Sequence, residues 1–132
     1  MRRVYYPGTW QEMRGYTPMV ETQGGRTLWL SGHVGASGDT GWDFSPDFDA
    51  QVRQAFYNME TTLHRAGACL RDIVTMTTFI IDAEFSQRFI ELRKEFFPHG
   101  DFPCSALVVA AGFAKPGMLV EIQAIAVLDD RP

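Results

Sequence analysis

Asp72-Ile73-Val74-Thr75-Met76-Thr77-Thr78-Phe79-Ile80-Ile81, followed by Asp82 and then by Phe85, Phe89, Leu92 and Phe96, is the stretch on which the fold turns. Its first ten residues are rich in β-branched side chains, which suit a pleated, half-buried strand. Asp82 can accept a first-turn amide proton, and the phenylalanines and leucine after it recur at three- and four-residue spacing. A strand therefore runs directly into an amphipathic helix that Pro98 and Gly100 end. Upstream, Ser45-Pro46-Asp47 predicts a second helix start, with serine as the cap, proline at the first helical position and aspartate at the positive pole. Phe48, Val52, Phe56, Met59 and Leu63 carry its stripe, with Ala55 and Ala66 beside it, and Gly67 stops it. Neither helix can bury its stripe alone. Both must lie on one face of a sheet, which gives an α+β sandwich.

The rest of that sheet is read outward from this core. Ser105 to Ala110 and Met118 to Leu128 predict two further strands around a turn region from Gly112 to Gly117. Arg26 to Ser31 reads as a strand with Leu28 and Leu30 on one face and Trp29 and Ser31 on the other. Gln23-Gly24-Gly25-Arg26 predicts a hairpin turn before it, since two glycines can adopt the positive φ of primed turns. Tyr16 to Glu21 reads as an outer strand, and the chain before it as turn-rich. Gly32 to Ser45 reads as a loop, broken by Gly35, Gly38 and Gly41 and pinned by Trp42 and Phe44. Apolar residues on both faces of residues 73–81 and 118–128 require cover on the face the helices do not reach. A second subunit supplies such cover in a closed oligomer.

At 132 residues the chain is expected to form a single domain over 1–132, and 45% hydrophobic with 21% charged residues is the composition of a globular protein. A net charge of -4 supplies no field for gripping nucleic acid, and no apolar run is long enough to span a membrane. Cys69 and Cys104 form no CxxC pair and read as reduced thiols of a cytoplasmic protein. His33, His64 and His99 occur singly, without a zinc spacing, so no metal is expected. No glycine-rich phosphate loop and no Gly-x-Ser-x-Gly elbow occurs.

Polar residues at strand ends are the remaining candidates. Ser31-Gly32-His33 combines a hydroxyl, a permissive backbone point and an imidazole where a strand enters the long loop. Glu121 interrupts an apolar strand, where ionisation is costly without donors or solvent. It either binds a cationic or amino substrate or moves a proton, or simply faces water or accepts a structural hydrogen bond. Cys104 is either a pocket nucleophile with a pKa depressed by His33, or a small apolar residue at the start of a buried strand.

Tyr16, Ser31-Gly32, Gln51, Asn58, Ala66-Gly67-Ala68, Asp72-Ile73-Val74, Phe79-Ile80-Ile81-Asp82, Phe96-Phe97, Phe102-Pro103 and Val120-Glu121-Ile122-Gln123-Ala124-Ile125-Ala126 follow one another along nearly the whole chain. In this order and spacing the chain resembles the Rid family, the YjgF/YER057c/UK114 group of imine/enamine deaminase-like proteins. The resemblance implies a chorismate-mutase-like fold with a mixed or antiparallel sheet and two helices on one face. It implies a homotrimer with pockets between subunits, and hydrolysis of reactive 2-imino or 2-enamino acids to 2-oxo acids and ammonia without a metal or organic cofactor. Glu121 and Ser31 fall on its catalytic positions. Tyr16, Gly32, His33, Ile90, Cys104 and Ser105 fall on its substrate-binding positions. Three of these depart from the pattern. Ser105 stands where active deaminases carry the arginine that holds the substrate carboxylate, Ile90 where they carry asparagine, and His33 where they carry glutamine. A hydroxyl does not replace a charged bidentate fork. The departures predict altered specificity relative to 2-imino-acid deaminases or, alternatively, a non-catalytic small-ligand-binding or interaction protein on the same scaffold.

Overall fold

The β-branched stretch forms β6 (Ile73–Ile80) in the computed structural model, which describes residues 1–38 and 40–130. It lies inside a four-stranded sheet with β3 (Arg26–Val34), β7 (Cys104–Val109) and β8 (Val120–Leu128), in the order β3-β8-β6-β7. β8 is antiparallel to both β3 and β6, whereas β7 runs parallel to β6. The parallel pair follows from its connection, because α2 (Ser86–Phe96) occupies the crossover between them. Both helices pack against one face of the sheet, as their stripes require. Phe48, Val52, Ala55, Phe56, Met59 and Leu63 of α1 (Phe48–His64) meet Phe89 and Leu92 of α2 and Met76, Ile80, Ile122 and Ala124 of the sheet in one core. The fold is thus α+β with a mixed sheet, as the sequence predicts.

Local chemistry moves several boundaries. The cap of α1 is Asp47, not Ser45: Asp47 Oδ2 accepts the Ala50 amide at 2.9 Å, while Ser45 Oγ accepts the Asp47 amide one step earlier. Asp82 caps a 3-10 turn over Ala83–Phe85, and α2 begins behind it. Gly24 and Gly25 both have positive φ, 75° and 83°, as the turn reading requires. The strands they join nevertheless belong to different sheets. β2 (Met19–Gln23) pairs with β1 (Arg2–Tyr6), an N-terminal strand absent from the sequence reading. The predicted loop after Gly32 also contains paired backbone, since β3 continues to Val34 and β4 (Ala36–Ser37) pairs with β5 (Asp43–Phe44). Lys115 Nζ sits 4.2 Å from the centre of the Trp42 ring, which ties this loop to the 112–117 turn.

The other sheet face is open. Trp29 on it is 78% exposed, and Trp29, Thr75, Thr77, Gln123 and Ile125 line a depression of about 260 Å³ there. Among the described residues no helix is long and apolar enough to cross a membrane.

Candidate functional site

Two β3 residues face one residue of β8, because the register slips between Leu30, opposite Ala124, and His33, opposite Ile122. This bulge turns the strand locally, as bulges beside functional sites commonly do. Leu30 is buried in the core, Ser31 and Gly32 are exposed, and His33 swings back toward α1. Glu121 stands opposite Val34 in β8, just past the bulge, half-buried on the open face. A β-carbon on Gly32 would stand 2.4 Å from Glu121 Oε2, so glycine is what leaves room for the carboxylate. Among the described residues Glu121 makes no ion pair, and no side chain hydrogen-bonds to it. Ser31, Gly32 and Glu121 thus form one cluster.

His33 braces that cluster from behind. Its Nδ1 lies 2.8 Å from the Ser31 carbonyl oxygen and its Nε2 lies 2.8 Å from Thr62 Oγ1 on α1. Both ring nitrogens are therefore engaged by the chain itself. Within one chain His33 stands on one edge strand of the sheet and Cys104 on the other, three strand spacings or at least about 14 Å apart, so the chain does not bring the two together by itself. Cys104 is half-buried, beside Thr75 at the start of β7. Two polar residues of α1 hold the surrounding backbone. Asn58 Nδ2 donates to the Val34 and Ala36 carbonyls, both at 2.9 Å. Gln51 Nε2 donates to the Ser45 and Gly117 carbonyls at 2.7 Å, and its Oε1 accepts the Leu119 amide at 2.9 Å. These two residues serve architecture, and they set where β3 ends and β8 begins.

The other predicted residues gather elsewhere. Ser105 pairs with Met76, a core residue, and so faces the helices; Glu121 pairs with Phe79 and faces the open side. Tyr16, Ile90 and Ser105 line a cavity of about 160 Å³ at the β7 edge with Arg14, Arg93 and Leu107. A single chain therefore holds two clusters on opposite faces of its sheet.

Arg93 was not among the residues singled out from sequence. It is 2% exposed, although it projects from α2. Its Nη1 donates to Ser105 Oγ at 2.6 Å and its Nη2 to the Arg14 carbonyl at 2.7 Å. Its guanidinium carbon lies 5.3 Å from the Phe89 ring centre and 6.0 Å from that of Tyr16. Burial pushes the Arg93 pKa down to about 10, the Tyr16 hydroxyl acts in the opposite direction, and nearby Arg14 lowers it further. The group remains a cation at neutral pH. A signal was present in the sequence: Arg93 stands four residues after Phe89 and three after Ile90, on the buried stripe itself.

Among the described residues no three His, Cys, Asp or Glu side chains cluster as a metal site. Residues 10–128 match the family model described as Endoribonuclease L-PSP. A 2-iminobutanoate/2-iminopropanoate deaminase of Dermatophagoides farinae is 31% identical over 119 residues, which cover 90% of each chain. A protein of unknown function of the conserved Rid family, YyfB from Yersinia pestis, superposes with a TM-score of 0.87 at 25% identity, covering 97% of this chain and 100% of that one. Escherichia coli TdcF, solved with bound serine, superposes with a TM-score of 0.73 at 29% identity, covering 83% and 85%. The sheet order, the paired helices and these matches along most of the chain agree, and the chain belongs to the Rid (YjgF/YER057c/UK114) family with its chorismate-mutase-like α+β fold.

Proposed function

We propose that this protein hydrolyses a small imine or enamine in a pocket completed by a neighbouring copy of the chain, within a homotrimer. The observation that carries the reading is the division of the pocket residues. Ser31, Gly32 and Glu121 lie on an uncovered sheet face, and Tyr16, Ile90 and Ser105 lie across the sheet at the β7 edge. A second copy laid on the open face is the arrangement in which the β7 edge of one chain meets Glu121 of the next. The similarity to a named imine deaminase supports the chemistry.

An enamine first takes a proton on its β-carbon and becomes the imine. Water adds to the C=N carbon and one of its protons passes to the nitrogen; the remaining hydroxyl proton then moves to the nitrogen as the C–N bond breaks, leaving an oxo compound and ammonia or an amine. Glu121 orients the water and transfers the proton at its carboxylate, and Ser31 Oγ positions the polar atoms beside it. No metal or organic cofactor enters this scheme. Ser105 and Ile90 alter the substrate-holding end of the pocket, so specificity differs from that of the 2-imino-acid deaminases.

Ammonia release from freshly generated imines, measured against the uncatalysed rate, tests the reading. Glu121→Gln keeps the shape and removes the carboxylate, so kcat is expected to fall about 10²–10⁴-fold at matched trimer content. An unchanged kcat removes Glu121 from the mechanism. No acceleration across neutral, cationic and anionic imines would favour the non-catalytic ligand-binding protein, for which Ser105 in place of a charged fork is the specific observation.

A further inference from the structure

Arg93 is a buried cation without a counter-ion. Among the described residues no carboxylate pairs with it, and the ion pairs of the chain all lie elsewhere. A guanidinium has five N–H donors in a planar fork, and two of its bonds go to neutral oxygens of Ser105 and Arg14. Its Nε is buried without any hydrogen-bond partner. Leaving a buried charged donor unpaired is costly, and natural interiors normally avoid it. The second charged residue at the same cavity, Arg14, is also a cation, so the lining adds repulsion where a counter-charge is expected.

The rest of the lining limits what can supply that charge. Ile90 and Leu107 form an apolar wall, Tyr16 presents an aromatic ring, and Ser105 contributes one hydroxyl. A volume of about 160 Å³ admits a small molecule only. A planar monoanion with a short apolar substituent matches the planar fork and the apolar wall together. Phosphate matches the charge but leaves the apolar wall facing a hydrated ion.

We infer that the cavity between α2 and the β7 edge binds a small carboxylate on the Arg93 guanidinium, with Arg14 at its mouth. The fixed positive fork that position 105 lacks then comes from α2 instead, through the hydroxyl of Ser105. The carboxylate is held from the helix side of the sheet, which changes its placement relative to Glu121 and accounts for altered specificity without loss of the anion. Carboxylate binding is read from the cavity itself; that the carboxylate belongs to the substrate rests on the hydrolase reading above.

Isothermal titration of the full chain at low ionic strength with 2-oxobutanoate, butan-2-one and inorganic phosphate tests this without any turnover. Saturable binding of 2-oxobutanoate is expected, with the neutral ketone and phosphate each at least about tenfold weaker. Arg93→Met is expected to weaken 2-oxobutanoate by about tenfold or more. If that variant does not fold, Ile90→Asp supplies a built-in carboxylate at the cavity. It should abolish 2-oxobutanoate binding and melt above Ile90→Asn. Equal binding of the ketone, tighter binding of phosphate, or affinity unchanged in Arg93→Met or Ile90→Asp would overturn the inference. Carboxylate binding without imine hydrolysis would leave it standing and remove the hydrolase reading.

Discussion

Gly32 and Glu121 share one small volume, so each limits the other. The β-carbon of an alanine at 32 would meet the end of a flexible side chain, not backbone, and Glu121 can swing away. Gly32→Ala is therefore expected to keep fold and assembly while displacing the carboxylate, with imine hydrolysis lowered by about 10²-fold. Circular dichroism and light scattering check the first expectation, and initial rates check the second; a loss of folding would assign Gly32 to architecture. How much of such a site is legible beforehand depends on the side chain. Glu121 stands out because a carboxylate interrupts an apolar strand, and Ser31-Gly32 because a hydroxyl and a glycine end one. The bulge between them is invisible, since it is a relation between two strands about 90 residues apart and leaves no local pattern. Arg93 is only half legible for a related reason. Its spacing puts it on the helical stripe, but an arginine there ordinarily reads as solvated, and what buries it is the 12–15 turn, which reaches α2 from about 80 residues away through Arg14.

Helix α1 shows how two polar side chains can fix an element that apolar packing only orients. Gln51 is fully buried and satisfies two carbonyls and one amide of the flanking loops. Gln51→Leu leaves all three unpaired, and urea unfolding is expected to register a loss of about 2–4 kcal/mol. Asp47→Ala removes one exposed cap bond and is expected to cost about 1 kcal/mol by the same measurement. If the two variants lost equal stability, the Gln51 bonds would not be the fixing contacts. At this scale the sequence reads well. α1, α2, β6, β7 and β8 stand where periodicity and β-branching put them, because each carries its own signal over many residues. β1 and the β4–β5 pair do not, because Arg2-Arg3-Val4-Tyr5-Tyr6 and the two-residue strands become strands only through partners elsewhere in the chain.

The whole molecule leaves one face of its sheet without internal cover. Trp29, 78% exposed beside Ile125 and the threonines of β6, is the kind of aromatic surface that the proposed trimer would cover. Light scattering is expected to return about three times 14.9 kDa at micromolar concentration. Trp29→Glu is expected to shift that mass toward the monomer, and a monomeric parent protein would remove the shared pocket altogether. The strand order has one more consequence, for the nascent chain. β8 is the last strand in sequence and yet lies between β3 and β6, bonded to both. While residues up to 119 emerge from the ribosome, β3 and β6 have no middle strand to join them, and both helices face an unfinished sheet. Unpaired strand edges of this kind recruit other chains. The native sheet closes only after Val120–Leu128 has been synthesised, so translation speed over the preceding residues sets how long those edges stay exposed to chaperones or to each other on a polysome.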